Sequence, residues 1–250
     1  MTAQTALFLR GPSGGAYFAG LIRAEPGAVA VQEAGGKKTA KVVVAVEARD
    51  ESGKVVSMSD REALAEVGAD GSVLASYGMA VKPGNYTLHV AMLDPASSKG
   101  SVATDTIKMP DFASETLSLS PVLVLRDIQE VPANAQDAYA SFQLGPMRFV
   151  PRFGNVFATT DSVTLLGFVY NPKLDEATGK PSIVANFTIL KDGKPVAKSE
   201  DQPYDTAGAG PSVGPVPLAK YGAGKYTVQF KVKDNVAKKD YTEEATFEVK

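Results

Sequence analysis

The chain has no cysteine and no tryptophan, and its one histidine is His89. Without thiols it can form neither a disulfide nor a thiolate nucleophile, and with a single histidine it can build no Cys/His zinc cluster and no two-histidine metal site. No cofactor, no metal ligand set and no catalytic residue is therefore expected. Charge of one sign is missing too: 26 Lys and Arg stand against 28 Asp and Glu, a net charge of −2. That balance supplies no electrostatic surplus for a polyanion, so nucleic acid is not an expected partner. No apolar run approaches the roughly 18–20 residues of a membrane-spanning helix; the candidates, such as 42–45 and 122–125, are strand-sized. Membrane insertion of this chain is not expected. Residues 1–15 carry no basic region ahead of the apolar patch 6–9, which Arg10 ends, so they do not read as a signal peptide.

What the chain does have is length and repetition. Its 250 residues, 44% of them hydrophobic, suffice for one or two domains with a real core. Gly84-Asn85-Tyr86-Thr87, followed by alternation to Asp94, is matched by Gly224-Lys225-Tyr226-Thr227 and alternation to Asp234, at an offset of 140. The same offset relates Gly53-Lys54 with Val56 to Gly193-Lys194 with Val196, and Thr106-Ile107 to Thr246-Phe247. Three landmarks in register imply two copies of one domain. Residues 41–49 and 182–190 are rich in β-branched and aromatic side chains and run into turns, as strands do. Tyr86, Leu88, Val90 and Met92 fall on one strand face, as do Tyr226, Val228, Phe230 and Val232, and these eight are the expected core face. The one helical signal is the capping-box pattern Ser59-Asp60-Arg61-Glu62 ahead of residues 63–67, closed by Gly68.

The expected fold is all-β: two tandem immunoglobulin/fibronectin-III-like antiparallel β-sandwiches at 1–120 and 155–250, joined by a Pro-rich linker at 121–154. Five of the 16 prolines lie between 110 and 151. Leu117, Leu119, Val122 and Val124 look strand-like and are expected to pack on the first domain, with a flexible stretch near 131–137. The sandwich assignment draws on Tyr86 and Tyr226. Each follows a glycine near the start of a strand, two positions before an inward residue, the layout of a structural tyrosine corner whose hydroxyl bonds upstream backbone.

Pro83-Gly84-Asn85-Tyr86, then Met109-Pro110-Asp111-Phe112 and Leu117-Ser118-Leu119-Ser120, resemble the C-terminal region of bacterial proteins related to the von Willebrand factor A domain. Val169-Tyr170-Asn171 and the run from Ile189 to Lys194 are similar to the C-terminal domain of GWxTD-type proteins. The resemblance covers residues 40–250 in outline. It implies the C-terminal part of an exported bacterial protein, periplasmic or extracellular, and brings no catalytic residue with it. The A domain's Asp-x-Ser-x-Ser metal motif is absent, so metal-dependent adhesion is not implied.

Chemistry-bearing residues weigh toward structure. His89 alternates with inward residues and points outward, and the neighbouring carboxylates Asp175-Glu176, Glu200-Asp201 and Glu243-Glu244 read as solvated surface. Gly11-Pro12-Ser13-Gly14-Gly15 lacks the Gly-Lys-Ser/Thr ending of a phosphate loop and reads as a turn. Residues 207–217 read as a long irregular loop. Arg148, Phe149, Arg152 and Phe153 combine aromatic and guanidinium groups, the composition enriched at interfaces, and are the candidate partner-binding residues. The leading function is a non-catalytic tandem of modules, a spacer or protein-interaction region whose partner is another protein or a cell-envelope component. A carbohydrate-binding pair of sandwiches is the alternative, and a carboxylate-dependent hydrolase the second.

Overall fold

The computed structural model describes residues 1–10, 15–34, 36–112, 116–132, 136–206, 208 and 210–250. The turn expected at 11–14 lies outside the described residues. The chain forms two compact units, Met1–Asp111 with Gln129–Phe149, and Phe112–Ile128 with Val150–Lys250.

The first unit contains β1 (Thr2–Arg10), β2 (Ala16–Ala24), β3 (Gln32–Ala34), β4 (Lys37–Arg49), β5 (Val55–Val67), β6 (Val73–Val81), β7 (Gly84–Asp94) and β8 (Lys99–Met109). They are hydrogen-bonded in the order β1-β2-β6-β5-β4-β7-β8, with β3 on β4. β4 and β5 stay paired from Thr39 with Glu66 to Arg49 with Val55. β5 and β6 meet in only two pairs, Glu66 with Leu74 and Val67 with Val73. The sheet folds over at that short junction, and the layers β1-β2-β6 and β5-β4-β7-β8 face each other as in an immunoglobulin/fibronectin-III sandwich. Alternation decides what fills the space between: Phe18, Ile22, Ala75 and Tyr77 from one layer, and Val42, Val44, Val46, Leu88, Val90 and Met92 from the other, are all buried. Gly20 is required by this packing, because a Cβ there would stand 2.3 Å from the Tyr77 ring.

Residues 112–155 supply β9 (Ser118–Leu119), β10 (Leu123–Glu130), β11 (Gln143–Leu144) and β12 (Met147–Pro151). This segment corrects the linker expected at 121–154. The chain enters the second unit at Phe112, returns to the first at Gln129 and leaves it again at Val150. Leu117, Val122 and Val124 lie in the second unit's core with Leu119 against it, and not on the first domain. In the first unit, Ala138, Tyr139 and Phe142 are buried against the back of β2 and β6. There the Tyr17 hydroxyl donates to the Ser141 carbonyl at 2.9 Å, and the Ser141 amide donates to Ser76 Oγ at 3.1 Å. The prolines punctuate short strands, where a missing N–H costs no ladder bond. Of the stretch 131–137 expected to be flexible, 133–135 lie outside the described residues, whereas Gln136 and Asp137 dock on β5.

The second unit continues with β13 (Val156–Phe157), β14 (Ser162–Leu166), β15 (Val169–Tyr170), β16 (Ile183–Lys191), β17 (Lys194–Lys198), β18 (Gln202–Tyr204), β19 (Ser212–Pro217), β20 (Gly224–Asp234) and β21 (Lys239–Val249). One layer is β13-β21-β20-β16-β17 with β18 on β16, β13 running parallel to β21. The other is built on β14, which pairs with Leu123, Val124 and Leu125 on one side and with β19 on the other. β19 occupies part of the stretch expected to be loop at 207–217.

The repeat survives in the registers. Gly84 pairs with Met109 and Asp94 with Lys99, while Gly224 pairs with Val249 and Asp234 with Lys239. Ser98 and Lys238 both have φ of 54° at the same turn position. On the other side Arg49 pairs with Thr87 but Leu190 with Thr227, because the chain from that residue to the turn glycine is one residue shorter at Leu190–Gly193 than at Arg49–Gly53.

The helix expected at 59–67 is instead the second half of β5. Residues 39–49 of β4 offer β5 a ladder that is unbroken opposite 59–66, and Ala63 and Ala65 are buried at a period of two. Tertiary pairing overrides the capping-box pattern. Phe142→Ala is expected to destabilise the first unit by about 3–5 kcal/mol in urea unfolding, as a core truncation does; a residue in a solvated connector would change stability by within about 0.5 kcal/mol.

Candidate functional site

The repeated strands β7 and β20 are paired on both sides, and each has a carboxylate at its last residue. Asp94 and Asp234 are both buried. Asp94 Oδ1 accepts from the Ala96 amide at 2.9 Å, and Oδ2 accepts from the Ala30 amide at 3.1 Å and from Ser97 Oγ at 3.0 Å. Asp234 Oδ1 accepts from the amides of Val236 and Ala237 at 3.0 and 2.8 Å, and Oδ2 from that of Lys173 at 3.0 Å. Each carboxylate thus fastens its own hairpin turn and a distant segment of its own unit. The Ala96 and Ala30 amides hold the Asp94 carboxyl below the usual carboxylate range.

The other end of each strand carries the tyrosine, and here the copies differ. The Tyr226 ring is 1% exposed, is stacked 5.1 Å from Phe247 and lies 5.2 Å below Lys191 Nζ. Its hydroxyl lies 2.6 and 2.7 Å from the carbonyl oxygens of Tyr221 and Gly222. The Tyr86 hydroxyl donates to the Lys82 carbonyl at 3.0 Å, but the ring is only half-buried. In register, Ile107 replaces Phe247 and Asp50 replaces Lys191. Partial burial, and secondarily the Asp50 charge, push the Tyr86 hydroxyl above its ordinary pKa.

Tyr86 consequently lines two cavities. One, of about 370 Å³, is bounded by Asp50, Glu51, Asn85 and Lys108. Its carboxylates are engaged: Asp50 accepts from the Ser52 and Lys54 amides at 2.9 and 3.0 Å, and Glu51 from Asn85 Nδ2 at 3.0 Å. The other, of about 520 Å³, lies between the start of β5 and the end of β6 and is lined by Lys54, Val55, Val56, Val81, Lys82 and Tyr86, among others. Its walls offer apolar contact, hydroxyl groups and two ammonium groups, the chemistry of binding.

The four residues expected to bind a partner fall in two different units. Arg148 and Phe149 belong to the first unit and Arg152 and Phe153 to the second. Arg148 is 8% and Phe149 6% exposed, and the Arg148 guanidinium is ion-paired with Asp137. Arg152 and Phe153 are half-buried; Arg152 Nη1 donates to Asp161 at 2.6 Å, and the guanidinium carbon sits 5.7 Å over the Phe157 ring. Aromatic rings and guanidinium stems are as useful for internal packing as for an interface, and Arg148, Phe149 and Arg152 are used internally. His89 lies between Glu47 and Thr104 on the outer face of its sheet. Asp175 accepts from the Ala177 and Thr178 amides of its turn, Asp201 from Asn186, and Glu244 from Gln229.

Arg61, absorbed in the expected helix, escaped notice. Its Nη2 crosses from β5 to donate to the Ser76 carbonyl at 2.9 Å and Ser76 Oγ at 2.8 Å. Its Nε and Nη1 are buried with no hydrogen-bond partner among the described residues. A strand reading of 59–67 would have placed it on the inner face with Ala63 and Ala65.

No family model and no curated protein matches this sequence. Among solved structures, the chain is similar to a tetra-tandem repeat in the extending region of a large adhesion protein, at 14% identity and a TM-score of 0.28, over 99% of this chain and 48% of that one. It is similar to native E. coli alpha-2-macroglobulin at 10% identity and 0.29, over 100% of this chain and 14% of that one. Fibronectin(III)-like modules of Clostridium thermocellum CbhA align at 10% identity and 0.22, over 94% and 84%. The chain spans about half of the first of these and a small part of the second. The fold assignment rests on the strand order and registers above. No helix among the described residues is long and apolar enough to cross a membrane.

Tyr226→Phe is expected to lower stability by about 1 kcal/mol, since it removes a hydroxyl donor from the part-buried Tyr221 and Gly222 carbonyls, and Tyr86→Phe by less, because water replaces the hydroxyl at a half-exposed site. Urea unfolding of the two variants measures the difference. The Asp94 carboxyl has a folded-state pKa below its unfolded value, so its stabilisation is present above the unfolded pKa and is lost as pH falls through the folded one. Asp94→Asn is expected to flatten the acid limb of the stability profile, as read by thermal unfolding between neutral and acid pH.

Proposed function

We propose that the chain is a non-catalytic pair of immunoglobulin-like modules serving as a spacer or protein-interaction region of a larger exported bacterial protein. The observation that carries this reading is the duplicated fastening of β7 and β20, a buried carboxylate on backbone amides at one end and a tyrosine on backbone carbonyls at the other. Such fastening holds two loaded hairpins in place. One carboxylate of each neighbouring pair, Asp175, Asp201 and Glu244, is occupied in a turn or a cross-strand contact. The short motifs shared with von Willebrand factor A-related and GWxTD-type proteins support an exported setting, periplasmic or extracellular, with a protein or cell-envelope component as partner.

Single-molecule extension between terminal handles tests the reading. Two modules are expected to unfold in two steps, each releasing on the order of 35 nm for roughly 100 residues at about 3.5 Å apiece. One concerted step would overturn it. Turnover of hydrolase substrates that Asp175→Asn or Glu244→Gln abolishes would overturn it from the side of chemistry, and recovery of the full-length protein in the cytosol alone would remove the exported setting.

A further inference from the structure

β5 has two edges, and β4 covers one of them along its whole length. On the other edge, among the described residues, β6 pairs only with Glu66 and Val67, and the Leu64 amide donates to the Gln136 carbonyl at 3.2 Å in a single parallel bridge with Asp137. Among the described residues, Val55, Val56, Ser57, Met58, Ser59 and Asp60 have no strand beside them there. Natural sheets protect such an edge with proline, lysine or a bulge in the edge strand; this run has no proline and no lysine, and its one bulge, at Val56, lies at its start. It instead exposes apolar side chains, Val56 being 45% and Met58 70% exposed. Across the gap, β6 beyond Leu74 has β2 as its only strand neighbour among the described residues. The 520 Å³ cavity lies in this gap.

The two charged residues that line the cavity are both basic, while Asp60 lies on the exposed edge strand itself. Lys54 and Lys82 stand at the mouth of the gap, and Arg61 lies further in with Nε and Nη1 unpartnered. The chain also shows how the edge is used, since Gln136 and Asp137 already add to β5 at Leu64 as a short extended segment bearing a carboxylate. We infer that the free edge of β5 from Val55 to Asp60 docks an extended acidic peptide segment of another protein, which adds as a strand beside β5. Main-chain hydrogen bonds hold such a segment, and side chains at alternate positions select it. Those facing inward meet Arg61, Lys54 and Lys82 and are acidic; those facing outward continue the Val56 and Met58 surface and are apolar. This inference rests on the module reading and names its partner class.

The test uses the full chain and three fluorescein-labelled probes: the octapeptide (Glu-Val)₄, its counterpart (Lys-Val)₄, and (Glu-Val)₄ with alternate amides N-methylated. Fluorescence anisotropy is expected to show saturable binding of (Glu-Val)₄ at least tenfold tighter than either of the others. Lys54→Glu with Lys82→Glu, both at exposed positions, is expected to reverse the preference between Glu and Lys peptides, with unchanged thermal unfolding showing that the variant folds. Equal affinity for both peptides, indifference to N-methylation, or no binding would overturn the inference. Concentration-dependent dimerisation of the chain alone, abolished by Val56→Lys, would assign the edge to a second copy and overturn the peptide. Absent binding with two-step mechanical unfolding fails the edge alone, whereas one-step unfolding fails the module reading whatever the peptides do.

Discussion

Backbone amides that leave the end of a strand have no ladder partner, and buried ones must find an acceptor elsewhere. In both units the acceptor is the carboxylate of the strand's own last residue, Asp94 or Asp234, which gathers amides from the adjoining turn and from a segment more than 60 residues away. Hydrogen bonds to an ionised acceptor are roughly twice as strong as neutral ones. A one-residue slip of β7 would carry Asp94 away from Ala30 and turn Leu88, Val90 and Met92 out of the core together. The same carboxylate therefore fixes a turn, a register and a core face, and the rest of each sandwich is arranged around a strand held in that register.

This skeleton was legible because it repeats. Alternation around Tyr86 and Tyr226 located the central strands, and the constant offset through Gly53 and Gly193 joined their neighbours to them. Even the one-residue difference in the approach to the turn glycine is visible as 41–49 against 182–190. Tyr86 was placed with the core face, yet its ring is half-buried: alternation reports which way a side chain points, while burial depends on what stands opposite. Phe247 and Lys191 cover Tyr226, and their counterparts cover Tyr86 less.

The segments that misled share a physical cause. Ser59-Asp60-Arg61-Glu62 satisfies a local helix signal, but the ladder offered by β4 comes from residues 39–49, outside any local window. Five prolines between 110 and 151 resemble a solvated linker in composition, although Pro121 and Pro151 bound strands and Pro146 sits in a hairpin turn where no ladder amide is needed. Phe142 and Val124 belong to different units, an interleaving that no boundary drawn along the chain can express. Arg148 and Phe149 have interface composition and an interior role, since composition does not distinguish a surface that awaits a partner from one already covered.

Where two copies of one module keep the same fastening and diverge elsewhere, the divergence shows what the fold leaves free to change. At the tyrosine end the second copy is closed by aromatic stacking on Phe247 and by Lys191, which donates to the Tyr221 and Ala223 carbonyls at 3.0 and 2.8 Å and so ties its strand to the corner. In the first copy an isoleucine and a carboxylate occupy those places, the ring stays half-open, and cavities of about 370 and 520 Å³ adjoin it. Asp94, at the far end of β7 from this opening, is common to both copies because the register it fixes does not depend on how the tyrosine end is packed. Specificity on a shared scaffold resides in such rims and edges, and a strand end relieved of closing its own module is the part of this fold that can be fitted to another chain.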